Sequence, residues 1–76
     1  MASKQEFRRV DNIMSTLKRM GNEANIFDVL DETKTSLSWW KDHKAWIFHR
    51  FPQLSLVKME GNKYLVYKEE EPLPNE

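Results

Sequence analysis

Apolar residues recur at three- and four-residue intervals through Phe7, Val10, Ile13, Met14, Leu17 and Met20, the spacing of one face of an α-helix. Ser3-Lys4-Gln5-Glu6 ahead of this stripe has the spacing of a capping box, in which hydroxyl and carboxylate satisfy orphan backbone amides. Gly21-Asn22 behind it tolerates the positive φ of a helix C-terminus. Ile26, Phe27, Val29 and Leu30 suit a two-turn helix over residues 25–33, too short to stand alone, although Ile26 also fits a brief strand. Its polar side carries Asp28, Asp31 and Glu32, a poor surface for phosphate. A third helix is predicted between Thr35-Ser36, either of which caps well, and Pro52, which disfavours helix before it.

On that third helix Leu37, Trp40, Ile47, Phe48 and Phe51 fall on one side; Trp40, Ile47, Phe48 and Phe51 are assigned to the core, with Pro52 handing over to the next segment. Trp39, His43, Trp46 and Arg50 form a second line well away from it. Lys44 lies within the apolar side. Either its stem runs along the core with the ammonium at the rim, or the helix breaks near Asp42 and restarts in another phase. Residues 54–60 and 63–68 are rich in β-branched, aromatic and aliphatic residues and predict a hairpin turning at Gly61-Asn62. In that register Glu60 pairs with Lys63, Met59 with Tyr64 and Val57 with Val66. Those residues share one face, and Leu56, Lys58, Leu65 and Tyr67 share the other.

The predicted fold class is therefore α+β: a small winged helix, three helices followed by a two-stranded β-hairpin wing, as one domain over residues 1–68. Residues 69–76, with Glu69-Glu70-Glu71 and two prolines, read as a disordered acidic tail. Twelve basic and twelve acidic residues balance over the 76-residue chain, so net charge makes no case for nucleic acid. Four of the acids lie in the tail, which leaves residues 1–68 with twelve basic against eight acidic residues, a formal +4. The absence of cysteine excludes disulfides and thiolate chemistry and fits a reducing compartment. No apolar run approaches a membrane span and the polar N-terminus has no signal-peptide core, so an intracellular protein, cytoplasmic or nuclear, is expected.

The parts of an enzyme are lacking. His43 and His49 are six apart, on different sides of a helix, and no carboxylate cluster completes a metal site with them. Asp11, Asp28, Asp31 and Asp42 are scattered over what read as solvated faces, and neither glycine belongs to a phosphate-cradling loop. No catalytic residue, metal or cofactor is expected. The line Trp39, His43, Trp46, Arg50 is the sharpest binding candidate, because indoles stack on bases or fill a partner's pockets and flanking cations attract phosphate. Burial of at least one of Trp39 and Trp46, between the first helix and the hairpin, is the competing explanation. Lys41, Lys44, Arg50, Lys58 and Lys63 form a second candidate set, running from helix to wing. Arg8-Arg9 and Lys18-Arg19 read as ordinary solvated charge.

The sequence Ile47-Phe48-His49-Arg50-Phe51-Pro52-Gln53-Leu54, closing on Val66-Tyr67, resembles the LOTUS, or OST-type, winged helices and the related Egalitarian-like domains of germline proteins. Three helices followed by a hairpin resemble the winged-helix class of helix-turn-helix domains over residues from about 5 to 68, and the LOTUS-type likeness within that class rests on this short motif. It departs at Lys44, where an aliphatic residue is usual, at Trp39-Trp40, and in having no long glycine-rich loop between the first two helices. It implies RNA binding through helix and wing, or docking to a partner such as a DEAD-box helicase. Winged helices in general place the third helix in the DNA major groove. The expectation is a non-enzymatic nucleic-acid-binding module for DNA or RNA, with Trp39, Lys41, His43, Lys44, Trp46, Arg50, Lys58 and Lys63 as contact residues. The alternative is a protein-interaction module docking through the aromatic helix or the hairpin, a reading the acidic tail favours because it competes with phosphate. Either would act as a monomer or weak homodimer, away from membranes.

Overall fold

A computed structural model describes residues 4–68. Their order is helix α1 (Lys4–Arg19), strand β1 (Glu23–Asn25), helices α2 (Ile26–Glu32) and α3 (Leu37–Arg50), then strands β2 (Leu54–Met59) and β3 (Asn62–Tyr67). The strands form one antiparallel sheet in the order β1-β3-β2. The architecture is thus α+β with three helices, as expected, but the sheet has three strands where two were predicted. Glu23-Ala24-Asn25 pairs with Val66, Leu65 and Tyr64, and the Tyr67 amide donates to the Asn22 carbonyl at 2.8 Å. A strand of three residues without β-branched side chains carries little signal of its own. β3 supplies it with a template.

The α1 stripe buries Val10, Ile13 and Leu17, together with Thr16, against Val29, Leu30, Trp40, Ile47, Leu54 and Leu65. Each fully buried aliphatic side chain contributes roughly 1.5–3 kcal/mol. Phe7, at the start of the stripe, stays 39% exposed. α1 ends in a Schellman motif: the Gly21 amide donates to the Lys18 carbonyl and the Asn22 amide to that of Leu17, with both residues at positive φ. α2 ends the same way, through Lys34 to Asp31 and Thr35 to Leu30, but with Lys34 at φ 56° where glycine is usual. Asn25 caps α2 through a 2.9 Å bond from the Phe27 amide, and Ser36, rather than Thr35, caps α3. The capping box and the acidic tail fall partly or wholly outside the described residues.

The hairpin turns at Glu60-Gly61, one residue earlier than predicted. Both have positive φ (52° and 83°), the signature of a type I′ turn. Met59 lies opposite Asn62, Val57 opposite Tyr64, Leu56 opposite Leu65 and Leu54 opposite Tyr67. The reason is apolar pairing, since the predicted register would have set Lys58 against the fully buried Leu65. The partner of each β2 residue moves by two positions, so the faces survive the change. Leu54 and Leu65 are buried, while Val57 and Met59 on the other face are exposed.

Candidate nucleic-acid interface

α3 runs unbroken from Leu37 to Arg50, so the proposed break near Asp42 is absent. Its phase gives the helix two aromatic sides with different neighbours. The first is the line Trp39, His43, Trp46, Arg50, which faces α1. Trp46 sets its ring edge-on to Phe7 at 5.4 Å and to Phe51 at 5.9 Å. The Arg50 guanidinium lies over the rings of Phe51 and Phe7, 5.3 and 5.7 Å from their centroids. Trp39 stacks on His43 at 4.1 Å with an interplanar angle of 11°, and the Arg9 guanidinium sits 5.8 Å from the Trp39 ring. Both indoles are half-buried.

His43 holds this seam by both ring nitrogens. Nδ1 lies 2.8 Å from the Trp39 carbonyl oxygen and Nε2 lies 2.7 Å from Glu6 Oε2. Both neighbours are acceptors, so the two bonds are made together when the imidazole is doubly protonated and donates twice. Its pKa is accordingly raised above 6.5, chiefly by the Trp39 carbonyl; burial opposes the rise, and Glu6 and then Asp42 add to it.

Arg9 extends the seam. It donates to the Thr33 carbonyl at 3.1 Å, the Lys34 carbonyl at 3.3 Å and Thr35 Oγ1 at 3.4 Å. It therefore ties α1 to the C-terminal end of α2, where the carbonyl dipoles favour a cation. The expectation of ordinary solvated charge fails for Arg9; Lys18 stays exposed, with its ammonium 4.7 Å from the Tyr67 ring centroid.

The other side of α3 borders a cleft of about 170 Å³ between α3, the start of α2 and the hairpin. Ile26, Trp40 and Leu56 give it an apolar floor, and Phe27 and Leu37 stand at its margin, 61% and 42% exposed. Lys41 and Lys44 enter from α3 and Lys63 from β3. No acidic residue is among the described residues lining it. Lys44 is half-buried, so its apolar stem adjoins the core within an unbroken helix, the first of the two predicted arrangements. Lys58 lies opposite Lys63 in the hairpin and is exposed.

The eight predicted contact residues thus divide. Lys41, Lys44 and Lys63 converge on the cleft, with Lys58 beside them, whereas Trp39, His43, Trp46 and Arg50 line the α1 seam. Phe27 and Leu37 escaped notice as surface residues because each continues an apolar pattern. Among the described residues no group of three His, Cys, Asp or Glu side chains is placed to hold a metal ion, and no helix is long and apolar enough to cross a membrane. No protein-family model, curated protein sequence or solved structure matches the chain.

Proposed function

We propose that this chain is a winged-helix domain that binds nucleic acid without catalysis, through Lys41, Lys44, Lys58 and Lys63 on the surface between α3 and the hairpin. The chain order supports the winged-helix part of the reading: two helices precede α3, a hairpin follows it, and a short strand after α1 completes the sheet. The observation that carries the functional part is the convergence of three lysines from two elements on one cleft with no acidic lining among the described residues. Such an array attracts phosphate without needing a high overall charge. Trp39 and Trp46 leave the contact set, since the rings and cations of α1 and Phe51 already occupy them.

Titration of a labelled oligonucleotide against salt tests this. Three to four phosphate contacts give a log-log salt slope of about −2 to −4. Lys41→Ala/Lys44→Ala/Lys63→Ala is expected to flatten that slope and weaken binding at low salt. Absence of binding to DNA and RNA at low salt refutes the reading.

A protein-interaction reading draws support from a different surface. Val57 and Met59 are 39% and 45% exposed on the outward side of the hairpin, an apolar pair that a partner would cover. Val57→Ser/Met59→Ser, which adds no charge beside Lys58, separates the two, because it abolishes nuclease-resistant partner capture on this reading and leaves oligonucleotide affinity intact on the first.

A further inference from the structure

We infer that the cleft beside α3 takes one unstacked base of a single-stranded nucleic acid, with Phe27 as the stacking platform and Lys41, Lys44 and Lys63 on the phosphates that flank that base. The inference rests on the nucleic-acid reading above and goes beyond it by naming the strand state that the surface selects.

A cleft of about 170 Å³ lies below the roughly 300–1,000 Å³ of sites that enclose drug-sized ligands. It suits one flat ring system rather than a cofactor. Lys41 and Lys44 are three apart on one helical face, and Lys63 reaches the cleft from the hairpin, so cations approach from two elements. A nucleotide within a strand carries a phosphate on either side of its base and matches that arrangement. In a duplex the phosphates remain available, but the bases are stacked and paired and no ring is free to enter.

Phe27 completes the cleft. An aromatic ring exposed to 61% at the edge of a cationic cleft offers a π-face, which any base can use and which is worth most to an unstacked one. Its backbone is fixed, because the Phe27 amide donates to the Asn25 cap at the first turn of α2. Trp40, 4% exposed, makes the floor rigid and apolar. An acidic peptide with an apolar side chain shares part of this chemistry. Cations from two elements around a slot the size of one ring favour the nucleotide.

The test is fluorescence anisotropy of the full chain with a labelled oligothymidine of about 12 nucleotides and with a mixed-sequence duplex of the same length, at one low salt concentration. The single strand is expected to bind more tightly. Phe27→Ala and Phe27→Leu are both expected to weaken single-strand binding by about 5- to 100-fold while changing duplex binding little, and Phe27→Trp to retain it. Phe27→Leu keeps apolar area and loses only the π-face, and Phe27 is exposed enough that circular dichroism of each variant should match the parent.

Equal or tighter duplex binding, or a single-strand affinity indifferent to Phe27→Ala, overturns the inference and leaves the nucleic-acid reading standing. Failure of both probes to bind overturns the two together. Lysine-dependent binding of a labelled peptide of alternating glutamate and leucine, with neither oligonucleotide bound, also overturns both and assigns the cleft to a protein partner.

Discussion

The two aromatic sides of α3 carry similar residues and have different fates. One side offers Trp39, His43, Trp46 and Arg50, and α1 answers it with Glu6, Phe7 and Arg9. The other offers Leu37, Trp40, Lys41 and Lys44, and what answers is the apolar floor of an open cleft with a third lysine. Aromatic rings interleaved with cations therefore do not mark a binding surface by themselves. The same cation–π and edge-to-face contacts that would hold a ligand also hold a helix–helix seam, and the element across the gap decides which it is.

If that division is right, seam variants lose stability and cleft variants lose binding. Trp46→Ala should have the largest effect on folding, about 2–3 kcal/mol in urea unfolding, below the 3–5 kcal/mol of a fully buried aromatic because Trp46 is half-buried. Oligonucleotide affinity of the folded fraction should be unchanged, and a loss as deep as that of the lysine variant would erase the distinction. Arg9→Met keeps the stem and removes three hydrogen bonds to residues 33–35, so a cost of about 1–2 kcal/mol is expected in the same measurement.

Two positions outside both faces calibrate these numbers. Lys34 (φ 56°) and Glu60 (φ 52°) occupy the left-handed region that disfavours most side chains. Lys34→Gly and Glu60→Asn should each stabilise by about 0.5–1 kcal/mol. Neither should move the affinity.

The finest test of the seam is its pH dependence. The folded pKa of His43 is raised, so its contribution to stability is complete below the unfolded value of 6.5 and is lost as pH rises through the folded value. Thermal stability should fall over that window. Glu6→Gln should shrink the fall without abolishing it, because the Trp39 carbonyl still favours the imidazolium. An identical pH profile in both proteins would remove Glu6 from the account.

Much of this architecture was legible from periodicity, because local pattern and burial agree. The α1 stripe, a cap at Thr35-Ser36, the core placement of Trp40 and Ile47, and the division of faces along the hairpin all follow from spacing and turn chemistry. Long-range partners were not legible. β1 exists because β3 lies beside it, and the turn sits at Glu60-Gly61 because Leu56 and Leu65 pair, a contact that outweighs the strain of Glu60. The candidate site was half legible for the same reason. Lysines at positions 41, 44 and 63 could be named, but their gathering around a cleft beside Phe27 depends on how α2 and the hairpin pack. The Trp39 to Arg50 line read as a surface only while its partner on α1 was unknown.

The measurement that bears most directly on the central claim is the salt dependence of single-stranded oligonucleotide binding for the parent chain, Lys41→Ala/Lys44→Ala/Lys63→Ala, and Trp39→Phe as a seam control. The expected result is a log-log slope of about −2 to −3 for the parent, a slope of about −0.7 for the lysine variant, which keeps Lys58 alone of the four contacts, and a slope for Trp39→Phe that overlays the parent's. A parent slope near zero, or one that Trp39→Phe flattens while the lysine variant does not, would contradict it.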